Sequence, residues 1–305
     1  MIKRIIITLC LLISSYLAYI AVSLTLLPPV SELKERKLTR EIQVRDWHGK
    51  YHPFLLGPKN RDWTPSNSIP SEMKWAVILA EDATFYKHEG VDVNAIRKAI
   101  KDDLEKKSLA RGASTITQQI AKNIYLSREK TISRKSKELY LALRMEQELT
   151  KGRIIELYLN VVELGPMVYG IGHASRYYFG KPASEMTPRE CAFLAAMLPG
   201  PRVAYNPYRN MSKVLRRSDL ILKLLKSNRV LSEEEYSAAI ATAPNIGGLQ
   251  KKVEATIVKE EVFTNSSSAQ MPATMPAKTD TIEAPQETEP ASKADKNDSD
   301  VGGSK

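Results

Sequence analysis

Glu81, in the run Glu81-Asp82-Ala83-Thr84-Phe85-Tyr86-Lys87-His88-Glu89-Gly90, is the first residue whose type and setting could carry chemistry. On a helix, Val77, Ile78 and Phe85 fall three or four positions away and share its face. A carboxyl group among apolar side chains has a raised pKa, which suits a general base or acid near neutrality. The plainer alternative is a Glu at a helix edge paired with a Lys, and spacing alone leaves both open.

The second candidate is the stretch Arg111-Gly112-Ala113-Ser114-Thr115-Ile116-Thr117-Gln118-Gln119. Gly112 and Ala113 allow close backbone approach, and Thr115 with Gln118 has the spacing of a capping box. A helix start with free N–H groups is a natural anion site. Lys122, Arg128, Lys130, Arg134, Lys135 and Lys137 follow it. They are either the rest of a pyrophosphate cradle or a solvated basic face. No Gly-Lys-Ser/Thr ending marks a nucleotide loop. Glu138 closes the basic run and shares a helix face with Arg134, Leu141, Ala142 and Met145. Enclosed by cations it stays ionised, which fits an electrostatic or metal-holding role better than that of an acid. Its alternative is an ordinary helix salt bridge with Arg134, worth only a few tenths of a kcal/mol. His88 has no second His at metal-ligand spacing and reads as a packing or capping residue.

The elements that must position these groups follow from periodicity. Ser71 reads as the N-cap of a helix that carries Trp75-Ala76-Val77-Ile78-Leu79-Ala80 toward Glu81. Apolar residues recur at three and four along Leu139–Leu143 and Ile154–Leu159. Gly165-Pro166, Gly180-Lys181-Pro182 and Pro199-Gly200-Pro201 punctuate the helices. Thr187-Pro188-Arg189-Glu190 is a capped helix start. A short strand is expected at Arg40–Arg45 within an otherwise charged stalk over 28–60.

Residues Ile5 to Leu27 carry no charge over 23 positions, long enough to cross a bilayer as a helix. The run exceeds the apolar core of a cleaved signal peptide and is followed by Pro28-Pro29, so it reads as an uncleaved anchor. Lys3 and Arg4 on the short tail keep residues 1–4 cytoplasmic and export the body. Cys10 and Cys191 both lie in apolar runs and read as small hydrophobes. The net charge of +10 is uneven: residues 251–305 hold seven Lys against ten Asp or Glu, or −3, leaving +13 for the remainder. A basic exported body next to a membrane points to anionic headgroups or phosphorylated substrates and away from nucleic acid. Residues 246–305, rich in Ser, Thr, Ala, Pro, Glu and Lys, read as a disordered tail.

Taken in order, Glu81 to Gly90, Gly112 to Asn123 and Arg134-Lys135-Ser136-Lys137-Glu138 resemble the three signatures of family 51 glycosyltransferases, the peptidoglycan transglycosylases. Ile155-Glu156-Leu157-Tyr158-Leu159-Asn160, Tyr169-Gly170-Ile171, Tyr178-Phe179-Gly180-Lys181 and Leu198-Pro199-Gly200-Pro201-Arg202 resemble later family segments. The resemblance implies a mainly α, lysozyme-like glycosyltransferase domain over 61–245, with a small membrane-proximal lobe between the first two motifs. It implies polymerisation of lipid II into glycan strands at the inner membrane, on its extracytoplasmic side, with release of undecaprenyl pyrophosphate. Glu81 then looks like the base that deprotonates the acceptor sugar's 4-hydroxyl. Ser114, Thr115, Gln118, Gln119, Lys122, Lys130, Arg134 and Lys135 would hold the donor pyrophosphate. Glu138 would orient the leaving group, directly or through a divalent cation such as Mg²⁺ or Mn²⁺. The partners implied are lipid II, the growing glycan chain, the membrane and other cell-wall synthesis proteins.

Two positions depart from the family pattern. Thr84 stands where many members carry Arg, and Lys130 replaces an Arg, giving a point charge in place of a bidentate fork. Ser31-Glu32-Leu33-Lys34 and Ser71-Glu72-Met73-Lys74 match Ser-x-x-Lys by chance, with no partner Lys-Thr-Gly, so the resemblance is to the monofunctional type. Two other functions compete. A lytic glycan hydrolase needs paired carboxyls but no pyrophosphate cradle, and the Lys/Arg run disfavours it. A membrane-anchored scaffold acting through its tail has no use for Glu81 and Glu138.

Overall fold

The computed structural model describes residues 1–46, 48–106, 114–127 and 129–247. Arg111, Gly112, Ala113, Arg128 and the tail beyond 247 lie outside the described residues, so the expectations placed on them find neither support nor correction.

The described chain is mainly α, as expected. Helix α1 (Ile2–Thr25) holds the charge-free run and buries none of its residues. It is long and apolar enough to cross a membrane. The segment after it corrects one expectation, because 28–60 is not a free stalk. Strands β1 (Arg40–Arg45) and β2 (Tyr51–Leu56) pair as an antiparallel hairpin, with Ile42 opposite Phe54. Its turn is closed by the Asp46 carboxylate, which accepts the Lys50 N–H at 2.8 Å. Leu33, Leu38, Ile42, Val44 and Leu56 join the hydrophobic core. The Arg153 guanidinium fastens the segment by donating to the carbonyls of Leu33 at 2.7 Å and Glu35 at 2.9 Å. The segment's apolar residues are few and scattered among charges, yet they alternate correctly for one buried face.

Helix α2 (Ser71–Glu81) begins at the very residue expected to cap it, one position earlier than that cap implies. Pro70 takes the cap position, and the Ser71 hydroxyl turns to Glu72 instead of the backbone. Helix α3 (Val93–Lys106) follows the Glu81 motif. Helix α4 (Ile116–Tyr125) starts at the expected capping box of Thr115 and Gln118 and buries Ile116, Ile120 and Ile124 along one stripe. Helix α5 (Ile132–Glu148) is capped by Thr131, and α6 (Lys151–Val161) by Thr150. A small hairpin, β3 (Glu163–Gly165) with β4 (Val168–Tyr169), leads to α7 (Ile171–Phe179).

Helix α8 (Pro188–Met197) buries every residue from Arg189 to Met197. It starts at the expected Thr187 and Glu190 capping box, and Cys191 is a fully buried free thiol within it. A helix apolar nearly all round must be central, and α8 packs between α2 and α9 (Pro207–Ser227). Helix α10 (Glu233–Ala241) covers part of α9. In this way α2 carries Glu81 against the core, while α4 and α5 carry the basic motifs beside it.

Candidate active site

Glu81 is the last residue of α2, so its side chain leaves the helix where the chain turns. Val77, Ile78 and Phe85 are buried around it, although Phe85 comes from the following turn and not from the helix face. One Glu81 oxygen accepts from the Gln119 side-chain amide at 3.3 Å, and the other faces an Arg217 nitrogen at 3.4 Å. Burial raises the Glu81 pKa above the ordinary carboxylate range, opposed by Gln119 and Arg217. A base tuned upward while still held by two donors is suited to taking a proton near neutrality.

Gln119 is itself oriented. The buried Tyr158 hydroxyl donates to its amide oxygen at 3.2 Å, which turns the amide nitrogen toward Glu81. Burial keeps Tyr158 protonated by lifting its pKa well above normal. Tyr158 and Arg217 were not among the residues singled out from sequence. Tyr158 lies in a segment matched to the family, but Arg217 sits in an ordinary basic helix with no local signal.

The two motifs are one unit. Asp82, buried, accepts from His88 Nε2 at 2.9 and 3.0 Å and from the Ile116 N–H at 3.0 Å, the first N–H of α4. His88 Nδ1 accepts the Gly90 N–H at 3.1 Å, so the proton resides on Nε2. His88 therefore packs and positions, as its spacing suggested. Gly90 adopts φ +90°, and a Cβ there would come within 3.0 Å of the Ala142 carbonyl oxygen of α5. Its own carbonyl accepts from the Thr115 hydroxyl at 2.8 Å.

These bonds occupy two of the N–H groups at the start of α4. The Ile116 N–H is given to Asp82 and the Gln118 N–H to Thr115, at 3.2 Å. Gln118 is buried, and its amide oxygen accepts the Thr115 N–H at 3.3 Å. Thr115 and Gln118 build the helix start, Thr115 lines the Glu81 pocket, and the Gln118 amide oxygen faces Lys135 at 3.5 Å.

The cations are gathered elsewhere. Ser114, Gln119, Lys122, Lys130, Arg134, Lys135 and Glu138 all line one cavity of about 410 Å³. Glu138 is buried in its wall and accepts from both Arg134 and Lys135, each one turn away on α5. Lys135 also reaches the Ser114 hydroxyl at 3.2 Å. The Nε of Arg134 is buried without a partner. Ser114 also lines a second cavity, of about 210 Å³, that contains Glu81. The base and the cations thus open onto adjoining pockets. A larger cavity of about 1030 Å³ around Trp63 and Arg153 shares no lining residue with either.

The donor set does not fit a protein-held divalent ion. Both Glu138 oxygens already face cations, and no group of three His, Cys, Asp or Glu suitable for a metal occurs among the described residues. Thr84, which stands where many family members carry Arg, donates its hydroxyl to Asp92 at 2.5 Å.

A carboxylate base beside a cation-lined pocket, on a mainly helical body, is the arrangement of a transferase whose leaving group is an anion. A family model described as Transglycosylase matches residues 49–226, more than half of the chain, and the chain belongs to that family. The chain is similar to a biosynthetic peptidoglycan transglycosylase of Nitrosomonas eutropha, with 44% identity over 168 residues, 55% of this chain and 68% of that protein. It is also similar to penicillin-binding protein 1A of Escherichia coli, with 37% identity over 219 residues, 72% of this chain and 26% of that protein. A crystal structure of penicillin-binding protein 1A from Haemophilus influenzae matches 68% of this chain and 21% of its own at 22% identity. Its TM-score is 0.36, too loose a likeness to argue from.

Proposed function

We propose that the chain polymerises lipid II into β-1,4-linked glycan strands for cell-wall synthesis, releasing undecaprenyl pyrophosphate. The observation that supports this reading best is the adjacency of the Glu81 pocket and the cationic pocket through Ser114. Glu81 removes the proton from the acceptor's 4-hydroxyl. The oxygen attacks the anomeric carbon of the growing chain from the face opposite the leaving group, the C1–O bond to pyrophosphate breaks, and the centre inverts. Glu81 then gives its proton to solvent.

Lys122, Lys130, Arg134 and Lys135 neutralise the charge that develops on the departing pyrophosphate. Glu138 holds Arg134 and Lys135 in place, so its role in this reading is to orient those cations. Gln119 belongs to both pockets, bonding Glu81 while lining the cationic one. The cationic pocket distinguishes this reading from glycan hydrolysis, whose leaving group is a neutral sugar hydroxyl once protonated.

Helix α1 anchors the protein in the inner membrane as a single pass, with residues 1–4 in the cytoplasm and the catalytic domain outside. A lipid-linked substrate then reaches the cationic pocket along the bilayer surface. Residues 246–305 are left for contacts with other cell-wall proteins.

The test is polymerisation of purified lipid II by the full chain in detergent, read on product gels. Wild type should yield polymer and Glu81→Gln about a thousandfold less, the scale of losing a positioned base. Absence of polymer from wild type, or full activity in the variant, would overturn the reading.

A further inference from the structure

The pocket that contains Glu81 is chemically unlike its neighbour. Among the described residues, Glu81, Asp82, Ala83, Thr84, Asp92, Ala95, Ser114 and Thr115 line its 210 Å³, and no Lys or Arg is among these. The Asp82 carboxylate is committed to His88 and Ile116. On the far wall, the Thr84 hydroxyl gives its proton to one Asp92 oxygen at 2.5 Å. The other Asp92 oxygen accepts the Ala95 N–H at 2.8 Å and so caps α3. With its proton committed, the Thr84 oxygen has only lone pairs to offer. The bond from Thr84, followed by that from Ala95, holds the Asp92 carboxyl below the usual carboxylate range and therefore ionised. Glu81, Thr84 and Asp92 together give the described wall an excess of hydrogen-bond acceptors. Such a wall favours a neutral group rich in O–H and N–H donors, such as the hydroxyl and acetamido edge of an amino sugar, over a phosphate.

We propose that Thr84 and Asp92 form a positioning and specificity-determining clamp for the acceptor sugar. Their bond fixes the first turn of α3 against the Glu81 turn, and so sets the width of the acceptor pocket without touching the bond-forming atoms. The proposal rests on the polymerase reading and adds to it the residues that hold the acceptor. It also accounts for the missing cation at position 84: an Arg there would bring charge and bulk to a wall that here consists of a short hydroxyl and a carboxylate.

The test separates the clamp from the chemistry. With a preformed glycan-lipid donor held at saturation, lipid II is varied as acceptor for wild type, Thr84→Val, Thr84→Ser and Asp92→Asn. Thr84→Val removes the hydroxyl at nearly constant volume, and Asp92→Asn keeps a good helix cap. The acceptor KM should rise roughly fivefold to tenfold in Thr84→Val, the scale of one net hydrogen bond, with kcat within about twofold. Thr84→Ser should restore the wild-type KM. The double variant of Thr84→Val and Asp92→Asn should be no worse than the poorer single variant, because both changes break one bond.

A wild-type KM in Thr84→Val, a kcat loss that Ser does not rescue, or additive effects would overturn the clamp. Binding gives a second readout that needs no turnover. A soluble methyl glycoside of the N-acetylglucosaminyl–N-acetylmuramyl disaccharide, without lipid or pyrophosphate, should shift the amide resonances of Ala83, Thr84 and Ala95 in wild type. The shifts should saturate at higher concentration in Thr84→Val, and their absence in wild type would also overturn it. If wild type bound the disaccharide at these amides but made no polymer, the polymerase reading would fail and the sugar-binding clamp would stand.

Discussion

Replacing Asp82 with Ala should damage both stability and catalysis, although Asp82 is assigned no part in the chemistry. The buried carboxylate accepts from His88 Nε2 at 2.9 and 3.0 Å and from the Ile116 N–H at 3.0 Å. Alanine leaves both donors buried without a partner, at about 1–3 kcal/mol each. The two together cost roughly 2–6 kcal/mol, which lowers the melting temperature of a domain of this size by about 4–24 °C. Asparagine keeps one acceptor oxygen and should lose roughly half as much. Because Ile116 begins α4, its release should also let Gln119 drift from Glu81 and reduce the polymerisation rate at temperatures where the protein remains folded. Thermal melts in detergent give the first quantity, lipid II turnover the second, and hydrogen exchange at the Ile116 amide reports the bond itself. An Asp82→Ala protein that melted within about 1 °C of wild type, with the Ile116 amide still protected, would refute the reasoning.

Three further outcomes are expected. Arg217→Gln removes a cation that lowers the Glu81 pKa, so that pKa should rise further; since the base works only when ionised, the acid limb of the pH–rate profile should move to higher pH while the alkaline plateau is kept. An unmoved limb with a uniformly lower rate would assign Arg217 a packing role only. Glu138→Gln should slow turnover by at least tenfold whether Mg²⁺ or a chelator is present, because it leaves Arg134 and Lys135 without their shared carboxylate. A defect that disappeared in chelator would tie Glu138 to an ion after all. Removing residues 251–305, which carry −3 and few large apolar side chains, should leave polymerisation in vitro within about twofold of wild type; a collapse would show that the tail supports the catalytic body.

The helices and their starts were legible because each is written in local chemistry. Thr115 with Gln118 and Thr187 with Glu190 satisfy the N-cap and third N–H groups at the starts of α4 and α8 in the way their spacing foretold. The apolar run from Cys191 to Leu198 could only be central. The region 28–60 was misread because its hydrophobic residues are sparse, and a stretch of charges hides a two-residue period. The role of Arg217 was not legible at all, since it lies 136 positions from Glu81 and nothing local records a contact made by chain folding. Pairings of that kind need tertiary structure, whereas caps and stripes do not.

The start of α4 shows that one motif can carry more than one physical reading. Ser114 to Gln119 looked like a cradle because helix starts bind phosphate, yet a helix start has only a few free N–H groups. Here Asp82 and Thr115 accept from two of them. What the stretch also supplies is position. It sets Gln119 against Glu81 and Ser114 at the join of two pockets, one lined by Glu81, Thr84 and Asp92 and the other by cations. The cations themselves come from Lys122 on α4, Lys130 in the connecting loop and the first turn of α5. On the proposed reading, the separation of charge across Ser114 is what would discriminate donor from acceptor when both are versions of the same lipid-linked sugar.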